Sequence, residues 1–401
     1  MPIPKVTPPQ IDKLRYVTLL PVPSKILETL VRNSMRDKFE SAYGPEQHGF
    51  RRNGSSTTAL LKISNAATKF YDDSSNFGAA ILSYDLSSAF DCVNHKFTIE
   101  RLLQLDFPHG FLKWLSSYLD ARKGILRVKT SLSRPFKIEK GVPQGSVLGP
   151  AIFCTYVSGF SPNSQSVTVV KYADDFTLIV PLESDSEVDV QEGITEETDN
   201  FSKWCKTKDL RMNLSKSRCI LVVRHELSLP DLTIEKVDSV RLLGVHLNHK
   251  LNWDCHVQHL RKRCSQRLHI LRSLRGLVSQ SSLLRVYYAT VRSLMEYSCP
   301  LFVGLNKKQS AILRRIERRA LKIIFCGSTI PDHDNVDVRR EQLSRKLWQK
   351  IESDDRHLLH HLIPEMLPRC KNYRIEAFRT DKYGNSFFPF MTITLNNNLQ
   401  T

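Results

Sequence analysis

Apolar positions along this 401-residue chain switch repeatedly between strand-like and helical spacing, and each change predicts a different kind of element. Two β-rich apolar runs, Val167–Tyr172 and Phe176–Leu182, flank Ala173-Asp174-Asp175 and predict a tight hairpin with two carboxylates at its tip. Alternation with period two places Thr168, Val170, Tyr172 and Asp174 on one face of the first strand. A polar turn accounts for the same aspartates, because Asp tolerates turn geometry. Adjacent carboxylates closing an apolar hairpin also repel each other, which raises a pKa or requires a cation.

Before this hairpin the pattern predicts a proline-rich extended start (Met1–Gln10) and a short strand at Arg15–Leu20. Ser24–Phe39 reads as an amphipathic helix, with Ser24 as N-cap and Ile26, Leu27, Leu30, Val31 and Met35 at helical spacing. A Gly/Ser/Arg loop over Tyr43–Ser56 leads into a helix from Thr57 to about Phe70. Gly78–Leu86 is a mostly buried strand that carries Asp85 at its end. Helices through Leu119, a hairpin pattern over Ile125–Lys140, the GVPQGSVLGP segment (Gly141–Pro150) and an apolar helix to about Val157 follow. Beyond the central hairpin come an acidic helix or loop (Glu183–Thr198), a loop and strand at Asn213–Val223, and a strand pair or turn at Ser239–Leu247. From Asn252 the pattern turns helical and basic, and Arg315, Arg318, Arg319 and Lys322 share a face opposite Ile312, Ile316, Ala320 and Ile323. Residues 331–401 carry no strong pattern.

Charge sharpens this picture. Lys and Arg number 58 against 41 Asp and Glu, a net +17 that points to a polyanionic partner, nucleic acid ahead of a membrane surface. A solvated face is the default for the basic helix, and the net charge tips it to a backbone grip; Arg51 and Arg52 beside Ser55 and Ser56 read as a phosphate-holding loop, for which a solvated loop is an equally cheap explanation. Nine cysteines without a CxxC pair argue for reduced thiols and a cytoplasmic and nuclear setting. Cys255-His256…His259…Cys264 is the nearest approach to a zinc-ligand spacing. No run is long or apolar enough for a transmembrane helix or signal peptide.

Three acids therefore stand out: Asp85, Asp174 and Asp175. If their strands are neighbours in one antiparallel sheet, the carboxylates converge, and oxygen-only ligation points to Mg²⁺. Two ions roughly 3.5–4 Å apart would serve an in-line displacement at a phosphoryl substrate.

Eight segments, in order, carry a resemblance: PIPK (Pro2–Lys5), LRYVTLLPVPSKILE (Leu14–Glu28), EQHGFRRNGSSTTAL (Glu46–Leu60), YDLSSAFDCVNH (Tyr84–His95), GVPQGSVLGP, YADD (Tyr172–Asp175), WC…LRMNLSKS (Trp204–Ser217) and LLGVHL (Leu242–Leu247). Together they resemble the reverse transcriptase domain of non-LTR (LINE-type, jockey-like) retrotransposons over about residues 2–326. The resemblance implies an α+β right-hand polymerase: antiparallel palm sheet, helical fingers and basic helical thumb. Fingers and palm would occupy residues 1–250, thumb and post-thumb 251–330, and an extension of unknown role 331–401.

The implied activity is RNA-directed DNA synthesis, with an RNA template, a DNA primer, deoxynucleoside triphosphates and two Mg²⁺ ions, for which Mn²⁺ can substitute. Asp85, Asp174 and Asp175, with the Leu86 carbonyl, would hold the metals, and Lys216 would protonate the leaving pyrophosphate. Arg15, Lys25 and Arg51, with Lys5, would hold the triphosphate. Phe90 would exclude a 2′-hydroxyl, and Gln144 would touch the incoming nucleotide. Tyr172 and the Leu243-Gly244 turn would hold the primer end. Arg15-Tyr16 replaces the family's Arg-Pro pair, which frees the local backbone. No endonuclease-like segment precedes Met1 and no zinc knuckle follows, so a truncated element copy or a fragment is expected, with a separate endonuclease as a partner left open. A catalytically silent nucleic-acid-binding remnant and a maturase- or telomerase-type enzyme are the alternative readings.

Overall fold

The computed structural model describes residues 2–4, 14–120, 122–326, 330, 333, 335–368 and 372–399. Strand β1 (Pro2–Pro4) pairs antiparallel with β2 (Leu14–Tyr16), which is shorter than the strand expected to Leu20. Helix α1 (Val22–Ser34) starts after Pro21 with Pro23 in its first turn, so Ser24 lies inside the helix and is not its cap. Proline fits there because its missing N–H has no intrahelical acceptor to satisfy. The helix breaks at Met35, and α2 (Arg36–Ala42) continues from it.

The expected apolar stripe of this region divides. Val31 and Met35 pack on the core, whereas Ile26, Leu27 and Leu30 face outward. What α1 buries is Glu28, whose carboxylate accepts N–H groups of Val147 (2.7 Å) and Leu148 (3.2 Å) and the Tyr118 hydroxyl (2.8 Å). Three donors make a buried carboxylate tolerable, and here they dock the helix.

Helix α3 (Ser56–Asp72) opens with a capping box between Ser55 and Thr58. Strand β3 (Gly78–Tyr84) follows, then α4 (Ala89–Cys92), α5 (His95–Gln104) and α6 (His109–Leu119). The hairpin over 125–140 is a pair of nested ladders: β4 (Lys123–Gly124) with β7 (Phe136–Lys137), and β5 (Arg127–Val128) with β6 (Ser131–Leu132). Helix α7 (Gly149–Tyr156) precedes β8 (Thr168–Tyr172) and β9 (Asp175–Leu182). The acidic segment is one continuous helix, α8 (Glu187–Thr207). Strands β10 (Arg218–Val223), β11 (Glu235–Lys236), β12 (Ser239–Leu242) and β13 (Val245–Asn248) complete the sheets.

The central sheet runs β11-β10-β3-β9-β8 and is antiparallel except at the two-residue β10·β11 edge. Both faces are covered, which is why these strands read as nearly continuous apolar runs. Leu82, Tyr84, Phe176 and Leu178 pack with Phe153 of α7 and Phe201 of α8. Ile81, Ile179 and Ile220 face α3 and the β12–β13 hairpin.

Helices α9 (Asp254–Leu274), α10 (Gln280–Tyr287), α11 (Ser293–Glu296) and α12 (Lys307–Phe325) form a third core around Leu268, Tyr287 and Ile316. The patternless C-terminal region contains α13 (Val336–Glu352), α14 (Asp381–Gly384) and α15 (Phe387–Leu399). Its Trp348, Phe387 and Phe388 join the core on the α3 side of the sheet. Asp72 of α3 fixes it further, accepting N–H from Arg379 (2.9 Å) and Thr380 (2.6 Å) and the Thr380 hydroxyl (2.7 Å).

Candidate active site

Register brings the acids to one end of the sheet. Ser83 pairs with Thr177 and Tyr84 with Phe176, so Asp85, one step further, lies across from Asp175. Arg218 pairs with Ser83, and the same count puts Lys216 across from Asp85; Lys216 Nζ is 3.7 Å from Asp85 Oδ2. Tyr172 pairs with Asp175, leaving Ala173 and Asp174 as the two turn residues. Directly opposed residues share a face, so Asp175, not Asp174, lies on the Tyr172 side, where strict alternation had put Asp174.

Asp175 still reaches solvent, yet its carboxyl is pushed up to about 6 by the protein packed around it, with the charges of Asp174 and Asp85 adding. The three acids thus sense one another from distant parts of the chain. Among the described residues, no three Asp, Glu, His or Cys side chains close into a metal cage. Oxygen-only donors under mutual repulsion nevertheless suit Mg²⁺, which is held by one or two carboxylates together with substrate phosphates rather than by an all-protein cage. The Leu86 carbonyl is spared by its neighbours' bonds: Asp85 O accepts from Asn213 N (2.8 Å), and Ser87 N donates to Arg211 O (2.8 Å).

Phe90 is half-buried on α4 and stacks on Phe153, with centroids 4.2 Å apart and planes 18° apart. The Gly141–Pro150 segment lies along it, Val142 N donating to Phe90 O (2.9 Å). Gln144 Nε2 donates to Asp91 Oδ1 (2.7 Å), and its carbonyl accepts from Thr18 N (2.8 Å). Leu243 and Gly244 form the β12–β13 turn with φ of 45° and 89°, a hairpin geometry in which Leu is strained. Tyr297 donates to Leu243 O (2.7 Å) and so ties the turn to the helical region. Tyr172, Asp175, Arg241 and Leu243 line one small cavity of about 100 Å³. Burial pushes the Tyr172 phenol up.

Other expected residues are placed differently. Lys25 is exposed on α1, Arg15 is the middle residue of β2, and Lys5 lies outside the described residues. Arg51 is engaged by Glu40 (3.2 Å) and by the Gly44 carbonyl (2.6 Å), which closes its own loop. Ser55 caps α3, so the helix-end amides serve the capping box rather than an open phosphate cradle. The zinc spacing also dissolves, because Cys264 is buried in the helical core while Cys255 is exposed. Arg315, Arg318, Arg319 and Lys322 are all exposed on α12, and Ile316, Ala320 and Ile323 are buried behind them. Arg315 and Arg319, with Arg261 and Lys262 of α9, line a groove of about 670 Å³.

Sequence reading missed Gln47, Arg241 and Tyr297 as parts of this end of the molecule. Gln47 lies inside a quoted motif, but its burial has no compositional signature; Arg241 adjoins the Leu242–Leu247 motif.

Residues 3–247 match the reverse transcriptase (RNA-dependent DNA polymerase) family. The chain belongs to that family, and its architecture is that of a right-hand polymerase. It is 27% identical over 377 residues to the probable RNA-directed DNA polymerase from transposon BS of Drosophila melanogaster, covering 88% of this chain and 41% of that protein. It is 24% identical over 365 residues to the RNA-directed DNA polymerase from mobile element jockey of the same fly, covering 86% and 39%. The chain therefore spans about two fifths of the length of these relatives. Among solved structures, apo telomerase from Candida tropicalis aligns over 84% of this chain and 55% of its own, at 12% identity and a TM-score of 0.43. No helix among the described residues is long and apolar enough to cross a membrane.

Proposed function

We propose that this chain is the polymerase portion of a non-LTR retrotransposon protein and adds deoxynucleotides to a DNA primer on an RNA template. The observation that carries the reading is the register that sets Asp85 opposite Asp175 beside Asp174, with Lys216 next to Asp85. On this reading residues 1–250 are fingers and palm, 251–330 thumb and post-thumb, and 331–401 an extension packed on the palm side.

Asp85, Asp174, Asp175 and the Leu86 carbonyl would hold two Mg²⁺ ions, or Mn²⁺ in their place. When bound, such ions activate the attacking oxygen and offset charge on the leaving one. The chain's own groups do the rest. Tyr172 and the Leu243-Gly244 turn support the primer end, and Tyr297 steadies that turn. Phe90, backed by Phe153, presents an aromatic ring to the sugar, while Gln144 is oriented by Asp91 toward the incoming base pair. Lys216 carries a proton beside Asp85 that can pass to a leaving pyrophosphate. Arg15 and Lys25 are offered to the triphosphate; Arg51 acts through its loop instead. The α12 cations grip template and primer through phosphates, and a separate endonuclease would complete an element's chemistry. The reading places the protein where RNA and DNA meet, in cytoplasm and nucleus.

The test is primer extension on poly(rA)/oligo(dT) with dTTP and Mg²⁺. Template-dependent extension supports the assignment; a folded protein that binds template–primer and never extends it supports the silent-remnant reading.

A further inference from the structure

The segment Glu46–Phe50 runs along the outer edge of β8. Lys171 N donates to Glu46 O (2.8 Å) and His48 N to Lys171 O (2.8 Å). Between them, the fully buried Gln47 reaches past the end of the strand. Its Oε1 accepts two backbone N–H groups, those of Gly49 (2.9 Å) and Ala173 (3.0 Å). Both partners are donors, so the amide is oriented with its oxygen toward the turn, and its buried Nε2 has no hydrogen-bond partner among the described residues.

Ala173 precedes the acidic pair and stands at φ 58°. An alanine has neither glycine's freedom nor a side chain that bonds locally, so this conformation is strained and persists only where neighbours enforce it. The neighbours here are close. A Cβ on Gly49 would stand 2.7 Å from Ala173 N, and Lys171 is anchored beneath by Glu46 Oε1 (2.8 Å) and Val157 O (3.3 Å).

We infer that Gln47 is a positioning residue for the acidic turn: its amide oxygen holds Ala173 in the left-handed conformation and so sets where Asp174 and Asp175 stand relative to Asp85. The inference rests on the polymerase reading above for its functional consequence and on the hydrogen bonds alone for its structural one.

Gln47→Met keeps much of the volume and removes the acceptor. Gln47→Glu keeps an acceptor oxygen and, since Nε2 has no partner among the described residues, loses no hydrogen bond; burial beside the acidic pair favours the neutral carboxyl, whose carbonyl still accepts. In the full chain, Gln47→Met should lower kcat of primer extension about tenfold or more, with KM for dTTP and affinity for poly(rA)/oligo(dT) within about twofold. The Ala173 amide, followed by hydrogen exchange, should lose protection in Gln47→Met and keep it in Gln47→Glu, whose kcat stays within about threefold of wild type. Gly49→Ala, pressing on the same turn with Gln47 intact, should reproduce the kcat loss. Wild-type kcat with a protected Ala173 amide in Gln47→Met overturns the inference, as does an equal loss in the Glu and Met variants. If Gln47→Met fails to fold, wild-type kcat in Gly49→Ala overturns it. A wild type that never extends refutes the polymerase reading, and the exchange of Ala173 in the two Gln47 variants still decides the positioning.

Discussion

At the open end of the central sheet three carboxylates are drawn together by strand register, whereas along α12 Arg315, Arg318, Arg319 and Lys322 are spread over an exposed face at intervals of one or three residues. The contrast extends to what lies behind them. The acids rest on a held turn, with Lys216 beside Asp85. The α12 cations have an apolar back, and the buried charge there, Glu317, is met by Arg292. Crowded like charge selects a compact counterion; spaced, hydrated like charge selects an extended row of opposite charge. On the proposed reading the same chain would present a point site for divalent cations and a track for phosphates, and the two should fail in different ways.

The largest expected effect is at the point site. Asp85→Asn or Asp174→Asn should reduce primer extension by roughly a hundred- to a thousandfold or more, the scale of losing an electrostatic stabiliser. Template–primer affinity should hardly change, because the groups that grip the phosphates lie elsewhere. Either mutant extending at wild-type rate would dismantle the acid assignment.

The track should fail gradually. Changing Arg315, Arg318, Arg319 and Lys322 together to Gln should weaken binding to any template–primer and flatten the log–log salt dependence by about 0.9 for each phosphate no longer neutralised. At saturating template–primer, kcat should survive. An unchanged salt slope would make this face solvated surface.

The two regions were also unequally legible in the sequence. Nearly continuous apolar runs around YADD and ending at Asp85 marked the strands, because strands buried on both faces leave a strong local signal; their pairing did not follow from it. The basic face of α12 followed from helical spacing alone. What escaped depends on partners distant in sequence. Ile26, Leu27 and Leu30 of α1 face outward because Glu28 is the residue docked inward, satisfied by Val147, Leu148 and Tyr118, residues about 90–120 positions away. Arg51 pairs with Glu40 across a loop whose closure no periodicity reports. Asp174 and Asp175 exchange faces relative to strict alternation because the turn takes up two residues. Helix α13 went unseen because two of its five buried positions, Arg340 and Ser344, are polar and interrupt its apolar stripe.

A smaller effect probes selectivity at the point site. Phe90→Val should raise the ratio of ribonucleotide to deoxynucleotide incorporation by about tenfold, since steric exclusion acts only against the larger sugar. Its ring also packs on Phe153, so melting temperature must be followed alongside. A wild type that already accepts ribonucleotides, or a ratio that does not move, removes Phe90 from the sugar site and favours an RNA-making relative.

The smallest effect tests whether the crowded acids await a cation at all. Asp175 titrates at about 6 in the folded chain, against about 3.9 for an ordinary aspartate. Its folded value is raised, so the folded state holds the proton more tightly than the unfolded one. Its contribution to stability is therefore fully present below about pH 4 and is lost as pH rises through 6. A divalent cation that binds the ionised cluster only in the folded state should return stability above pH 6 and do nothing below about pH 4.5. Thermal melting with and without Mg²⁺ should accordingly show a rise of a few degrees at pH 7.5 and none at pH 4.5. Asp175→Asn should melt higher than wild type at pH 7.5 without metal, because the repulsion is gone, and should respond less to Mg²⁺. An equal Mg²⁺ response at both pH values, or in the mutant, would place the ion elsewhere on the molecule and leave the acids as an unneutralised cluster.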